Sequence, residues 1–533
     1  MAKNSSSSFD SITSKVLIRP GTPAVYRLIP KKDYIGTITR VTLGTKNVSK
    51  INKTILLVGE TGTGKSTLIN ALVNYALGVK WEDDVWFEIV EKEKKNSQCE
   101  SQTSDVVVYE VFGFEGKTLP YSLTIIDTPG YRDNKGTEHD DIVSQRLLHL
   151  FSSEDGVHEI AAVGLVLRAT ENRVSDRLMH IFDSVLSLFG KNMENNIVAL
   201  ITHSGGRKPK NVLSALEAVN IKCARDENKQ PVYFLFDNCQ HEVRAEDTEE
   251  LEHADDITTK GMRQFTDFLK TTDSQKLQTT MNVLKERIRL KACVENLQER
   301  VEFIEKKQKD IQETENMLER HKQEVKSNKD FVVQTTETYK EKEWFNGGSK
   351  WWALWLNNKG AVCCTTCEEN CHYECTMAWT AALCKVMEDD KCTVCNCPAP
   401  VHVKVQWRYV PKSITVSTTL QGMKEKYDQG KADSEEAGSL LENLLKEMRE
   451  LQRDKDQWLD ESFQHVVRLE KIALNVDSLS TLVHLDFLIK RMKEKRDAEK
   501  VQKLEEMKSR VDEGIQVGMR YKKGAGGETR KLD

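Results

Sequence analysis

The sequence predicts an α/β fold built on a mostly parallel sheet, followed by long helices that carry a small cysteine-rich insert. Three observations predict it. Residues 55–70 read ILLVGETGTGKSTLIN, an apolar strand that runs into a glycine-flanked loop and then into a helical apolar pattern. Over residues 52–269 short apolar runs alternate with amphipathic stretches, the signature of a sheet covered by helices on both faces. From Val283 onward apolar residues recur every seven positions, and nine of the thirteen cysteines fall between Cys363 and Cys397.

The loop itself points to chemistry. Gly59, Glu60, Thr61, Gly62, Thr63, Gly64, Lys65 and Ser66 place two glycines around four residues and close on lysine and serine, the phosphate-loop pattern. Gly59 and Gly64 free the backbone so that successive amides turn inward around a phosphate. The helix that starts near Lys65 adds its partial positive charge, Lys65 an ammonium for the terminal phosphates, and Ser66 a hydroxyl for Mg²⁺. Thr67 completes the stretch expected to touch the nucleotide. The fold class is therefore that of a P-loop NTPase.

At 533 residues the chain suggests roughly three or four units. A net charge of −5 is small for this length and argues against a dedicated nucleic-acid binder. The segment MAKNSSSSFD lacks the apolar centre of a signal peptide, and no run approaches the ~20 apolar residues that span a bilayer. A cytoplasmic location follows as the expectation, and with it cysteines used as metal ligands or free thiols rather than disulfides.

Residues 1–50 read as an N-terminal arm with a Ser-rich, partly disordered start, in which Tyr34, Ile35, Ile38 and Val41 suggest short strands. Residues 51–272 form the nucleotide domain, with strands expected at 54–58, 106–112, 122–126, 161–167, 197–202 and 232–236. Ligands in such sheets sit beyond the carboxyl ends of the strands. There, SLTIID ends on Asp127 and continues Thr128-Pro129-Gly130, an acid for Mg²⁺ and a glycine amide for a γ-phosphate. Thr103 is the chosen switch residue, offering a hydroxyl to Mg²⁺, with Ser101 and Ser104 as rivals in the same loop. Lys65, Thr103 and Gly130 make up the expected catalytic set. Tyr131 stands where a water-orienting glutamine often follows, so slow intrinsic turnover is expected.

At the base end the usual Asn-Lys-x-Asp tetrad is missing. Thr202-His203-Ser204 follows one strand and Phe236-Asp237-Asn238 the next. The set GETGTGKST, DTPG, ITHS and FDN resembles the septin-related branch of GTPases that holds the immunity-associated nucleotide-binding proteins (GIMAP, AIG-type G domain) and the plastid outer-envelope import receptors. The resemblance covers residues ~50 to 270. It implies a G domain that binds GTP and GDP with Mg²⁺, with His203 and Asn238 near the base, and it implies pairing of two copies across the nucleotide face. ATP is the runner-up nucleotide.

Beyond the nucleotide domain, Val283, Leu290, Leu297, Ile304, Ile311 and Leu318 mark a coiled-coil helix assigned to residues 273–342, with Val294 and Val301 at alternate seam positions. A further helical region at 413–521, with Leu441, Leu444, Met448, Leu451 and Trp458 as its stripe, is expected to fold back on the first as an antiparallel bundle, and residues 522–533 form a flexible tail. The aromatic stretch Trp344, Phe345, Trp351, Trp352 and Trp355 covers a small core or, as the alternative, makes a peripheral membrane contact. Within the module assigned to residues 343–412, two Cys-x-x-Cys knuckles, Cys364/Cys367 and Cys392/Cys395, suit tetrahedral Zn²⁺. Cys371, His372, Cys375, Cys397 and His402 complete the candidate set, and Cys384 lies among them. That number of ligands serves two structural ions.

The function expected from all this is a guanine-nucleotide switch with slow or partner-dependent hydrolysis, its nucleotide state controlling G-domain pairing or helix docking. A P-loop ATPase and a scaffold with a vestigial site are the alternatives.

Overall fold

The computed structural model describes residues 15–91, 105–129, 143, 146–170, 182, 185–218, 220–244, 248–320, 332–344, 360–375, 380–419, 440–474 and 479–509. They divide into two units: residues 1–284 with 472–482 and 507–533, and residues 285–471 with 483–506.

The first unit is organised by an eight-stranded sheet. Its strands are β3 (Lys31–Ile35), β4 (Ile38–Leu43), β5 (Asn52–Val58), β7 (Val107–Val111), β8 (Ser122–Asp127), β10 (Ala162–Arg168), β11 (Ile197–Thr202) and β12 (Tyr233–Leu235), in the order β12-β11-β10-β5-β8-β7-β4-β3. The run β12-β11-β10-β5-β8 is parallel throughout. The β8–β7 and β4–β3 pairs are antiparallel, and β7–β4 is parallel. All six expected strands are present, one of them at 197–202 unshifted and the other five moved by one or two residues at an end. Ile55, Leu56, Leu57 and Val58 of β5 are fully buried, each contributing roughly 2 kcal/mol of apolar burial. That central placement explains why the strand reads as an unbroken apolar run.

Residues 31–43, which the sequence assigns to an N-terminal arm, instead lengthen this sheet through β4, whose Thr39–Leu43 side pairs with β7. The strands β1 (Lys15–Arg19), β2 (Ala24–Leu28) and β6 (Val85–Glu88) make a separate three-stranded sheet. Helix α1 (Lys65–Leu77) braces β6 through two asparagines that a purely apolar pattern does not foresee. Asn74 exchanges two hydrogen bonds with Phe87, at 2.7 and 2.9 Å, and Asn70 Oδ1 accepts from Ile89 and Val90. Both side chains are buried and both are satisfied, as burial of an amide requires. The unit is completed by α2 (Lys210–Ala218), α3 (Thr248–Thr271) and the short pair β9 (Glu159–Ile160) and β13 (Gln275–Lys276).

Asp255 on α3 supplies a pH signature. Burial raises its carboxyl to about 6, against the pull of Arg244. A carboxyl raised above its unfolded value, 3.8, favours the folded state when protonated, so this contribution is full below pH 4 and lost as pH rises through 6. Asp255→Asn is expected to stabilise the first unit by about 1 kcal/mol at pH 7, after discounting for solvent screening, and to flatten its urea midpoint between pH 4 and 6.

The second unit contains most of α4 (Gln278–Arg320) and α5 (Leu440–Ile472) together with the cysteine module. Leu290, Val294, Leu297, Val301, Ile304 and Ile311 of the expected seam are buried. The two helices run antiparallel: near one end Glu286 meets His465 at 2.7 Å and Arg468 at 3.1 Å, and further along α4 the Arg300 guanidinium stacks on Trp458. The buried stripe of α5 is Leu459, Phe463, Val466 and Leu469, whereas Leu451 and Trp458 of the expected stripe are half-buried. The sequence pattern therefore placed the stripe one position early in this half of the helix.

A larger correction concerns the helix assigned to residues 273–342 and the helical region opening at 413. The structure pairs β14 (Val332–Trp344) with β20 (Trp407–Thr419) as antiparallel strands over thirteen residues. The physical reason is in the residues: Val332, Val333, Thr335 and Thr336 face Thr419, Thr418, Val416 and Thr415 in turn, β-branched chains that suit a pleated ribbon better than a helix. Within the ribbon Trp344 is 66% exposed, so it covers no core; Phe345, Trp351, Trp352 and Trp355 lie outside the described residues.

The cysteine module comprises β15 (Gly360–Cys364), β16 (Glu369–Cys375), β17 (Met387–Glu388), β18 (Lys391–Cys392) and β19 (His402–Val405), with β15 central between β16 and β19. Polar residues of α4 anchor it. The buried Glu369 carboxylate pairs with Arg300 at 3.0 Å and Lys340 at 2.6 Å and accepts from Asn296 at 2.9 Å. Removing it leaves two cations without their shared counter-charge, so Glu369→Ala is expected to cost the second unit about 3 kcal/mol. Glu369→Gln, which keeps an acceptor for Asn296, should recover part of that in chemical denaturation.

Candidate functional site: a phosphate loop and a thiolate cluster

The phosphate loop lies at the carboxyl end of β5, and its shape follows from local constraints. Gly64 caps α1 with a left-handed φ of 87°, and a side chain at Gly59 would place its Cβ 2.5 Å from the carbonyl oxygen of Val166. The loop is clamped from neighbouring strands. Arg168, at the end of β10, donates from Nε and Nη2 to the Gly62 carbonyl at 3.0 and 2.6 Å. The Thr202 hydroxyl, at the end of β11, lies 2.7 Å from the Thr63 carbonyl. Thr63 in turn donates its hydroxyl to the Glu60 carbonyl at 2.9 Å.

Lys65 Nζ donates to the carbonyls of Gly59 and Glu60 at 2.6 and 3.0 Å, which holds the ammonium over the loop. Burial pushes its pKa down to about 8, opposed by the negative charges of Asp127 and Glu60. Asp127 is fully buried at the end of β8, where the ladder sets it opposite Leu57, two residues before the loop. Thr128 fixes that turn by donating its hydroxyl to the Leu57 carbonyl at 2.9 Å. The structure thus gathers Gly59 to Ser66 with Asp127, and Thr67 follows in the first turn of α1. Thr103, Gly130 and Tyr131 lie outside the described residues.

His203 and Asn238 leave adjacent parallel strands, and their loops are tied by the Ser204 amide donating to the Phe236 carbonyl at 3.1 Å. His203 takes a left-handed φ of 53°, which turns its ring back to the phosphate loop, 3.4 Å from where a Cβ on Gly64 would stand. The Oδ1 of the buried Asn238 and the Oγ1 of Thr61 find no hydrogen-bond partner among the described residues. Buried acceptors in that condition fit a site that is completed by a bound polar group. Sequence reading missed Arg168 as a loop clamp, although its position directly after an apolar strand was the available signal.

The second constellation is the thiolate cluster. Among the described residues the candidate ligands fall into three groups, each with its ligand atoms within 4.8 Å of one another: Cys364, Cys367, Cys395 and Cys397; Cys371, Cys392, Cys395 and His402; and His372, Cys375 and Cys384. The nine candidate ligands named from the sequence all fall within these groups, and Cys384 falls with them. Hydrogen bonds from Cys367, Cys371 and Cys392 hold the Cys395 thiol far below the ordinary thiol range. His402 lies with Nε2 3.1 Å from Cys395 Sγ, and its Nδ1 is 3.0 Å from the Pro398 carbonyl, the outer contact that orients a ligating imidazole. The Val394 amide donates to Cys392 Sγ at 3.4 Å. Four thiolate or imidazole donors in each of the first two groups suit Zn²⁺ in a closed, structural site, and the third group offers three.

No helix among the described residues is long and apolar enough to cross a membrane.

Comparison with known proteins places these features. Residues 49–150 match the family model described as Septin. Over 80 residues, 15% of this chain, the sequence is 32% identical to Septin-1 of Drosophila melanogaster, and the match covers 19% of that relative's length. Among solved structures the chain is similar to Toc33 from Arabidopsis thaliana in complex with Mg²⁺ and GMPPNP, at 16% identity over 42% of this chain and 88% of that one, with a TM-score of 0.28. It is also similar to the translation elongation factor SelB from Methanococcus maripaludis in complex with the GTP analogue GPPNHP, at 12% identity over 42% and 35% of the two chains, with a TM-score of 0.23. At these scores neither structure lends this chain a ligand or an activity. The sequence match spans both phosphate motifs, residues 59–66 and 127–130, and over residues 49–150 this chain is septin-like.

Proposed function

We propose that this protein is a guanine-nucleotide-binding switch whose nucleotide state controls G-domain pairing or helix docking. The observation that carries the reading is the clamped loop with the Lys65 ammonium over it and the Asp127 carboxylate beside it. Amides of residues 59–66 and Lys65 would hold the phosphates, and Ser66 and Asp127 would hold Mg²⁺, with Thr103 and Gly130 assigned to the γ-phosphate end. Bound there, Mg²⁺ would supply neutralisation of the phosphate charge. His203 and Asn238 are assigned to the base, a role favoured by the Asn238 oxygen, which has no partner among the described residues, in the loop after β12.

Hydrolysis of GTP to GDP and phosphate is proposed to be slow, with Tyr131 in the position of a water-orienting glutamine and a second copy completing the site. The proposed output region is the helices together with a zinc-bound cysteine module, and the proposed location is cytoplasmic, a setting in which thiols serve as metal ligands. Single-turnover hydrolysis of GTP at increasing protein concentration tests the pairing. A rate per chain that rises with concentration is expected, and a flat profile contradicts pairing as the completing step.

A further inference from the structure

The grouping of the thiols goes further than a generic zinc module. Two tetrahedral ions need eight ligands, yet the first two groups contain seven residues, because Cys395 belongs to both. Four ligands reach each ion if Cys395 Sγ binds the two of them at once. The chain is bent to allow it. In the turn around Cys395 the Cys392 amide donates to the Cys397 carbonyl, the Asn396 amide donates to the Cys392 carbonyl, and Asn396 takes a left-handed φ of 60°. Cys392, Cys395 and Cys397 therefore converge from one tight turn on the two clusters.

The third group has its own logic. Cys371 and His372 are neighbours on β16 where its register against β15 shifts on both sides of His372, a bulged geometry that re-aims side chains. Cys371 accordingly joins the second group, while His372 turns to Cys375 and Cys384. Cys375 Sγ and Cys384 Sγ are 3.8 Å apart, and His372 Nδ1 is 3.1 Å from Cys384 Sγ. Two thiolates at the usual Zn–S length around one tetrahedral ion stand about 3.8 Å apart, whereas a disulfide would bring the sulfurs to about 2 Å.

We propose that the module binds three Zn²⁺ ions: a pair bridged by the Cys395 thiolate, and a third held by His372, Cys375 and Cys384. This rests on the zinc reading given above and changes its count and connectivity.

Native mass spectrometry of the full chain loaded with zinc should give three ions. NMR of the same chain loaded with the spin-active cadmium isotope should give three metal signals, two of them coupled to each other through the shared sulfur and the third uncoupled. Cys384→Ser should retain two ions, Cys395→Ser should lose both bridged ions to a weak chelator, and Cys363→Ser, a buried thiol outside the groups, should retain three. The cadmium coupling needs no substitution, so it stands even where a variant misfolds. Two uncoupled signals, or a Cys395→Ser chain that gives up a single ion, overturn the bridge while leaving a zinc module in place. A chain that takes up no zinc at all, or that carries iron instead, overturns both the bridge and the zinc reading beneath it.

Discussion

Lys65→Ala weakens nucleoside triphosphate binding on the order of a hundredfold, enough to abolish it at micromolar protein, and leaves the zinc content unchanged: this is the expected result if the loop is a phosphate seat. Lys65 Nζ is held by two loop carbonyls at the very start of α1, so an incoming phosphate finds a positioned donor rather than a mobile one. Hydrogen bonds to charged groups are worth about 1.5–3 kcal/mol each, and the loss of one strong contact in this buried setting weakens binding on the order of a hundredfold. Burial already depresses the ammonium to about 8, so a charged phosphate at this point also removes the cost of keeping it protonated. Alanine retains the helix propensity of the position, which separates loss of binding from loss of fold. Equilibrium binding of labelled GTP beside a metal assay checks it. Loss of zinc along with nucleotide would identify global unfolding instead.

Stripping the metal is expected to unfold the cysteine module while nucleotide binding survives. The buried cluster of the module contains Cys364, Cys371, Cys375, Cys384, Cys392 and Cys395, and its hydrocarbon is supplied mainly by Ala292, Val362, Ala381, Val386 and Val394. Apolar burial on that scale does not order so many short strands and turns, and structural zinc supplies about 10–16 kcal/mol of apparent binding free energy in small domains at neutral pH. A strong chelator should therefore expose residues 360–405 to protease and remove strand signal from circular dichroism. An unchanged digestion pattern after complete metal removal would contradict a structural role for the ions.

What could be read from the sequence was what local physics decides. The phosphate loop declares itself because strand, glycines, lysine and helix are contiguous, and the parallel strands because each is buried on both faces. Cysteine and histidine identities gave the candidate ligands, but not their grouping, which depends on the bulged register of β16 around His372 and on the turn around Asn396. Pairings between distant segments stayed hidden. The β14–β20 ribbon joins residues more than sixty positions apart, and the anchoring of Glu369 by Arg300 and Lys340 joins three segments whose charges, read singly, look like ordinary solvated side chains. The inclusion of β3 and β4 in the main sheet was hidden for the same reason, since their partner strand begins at residue 107.

The central claim is that residues 59–66, with Lys65 and Asp127, receive the phosphates of a guanine nucleotide. Calorimetric titration of the full chain with GTP, GDP and ATP in the presence of Mg²⁺ tests it most directly. Saturable binding of GTP and GDP, with ATP at least about tenfold weaker, is the predicted outcome, a difference of roughly 1.4 kcal/mol. No binding of any of the three, or tighter binding of ATP than of GTP, would contradict it.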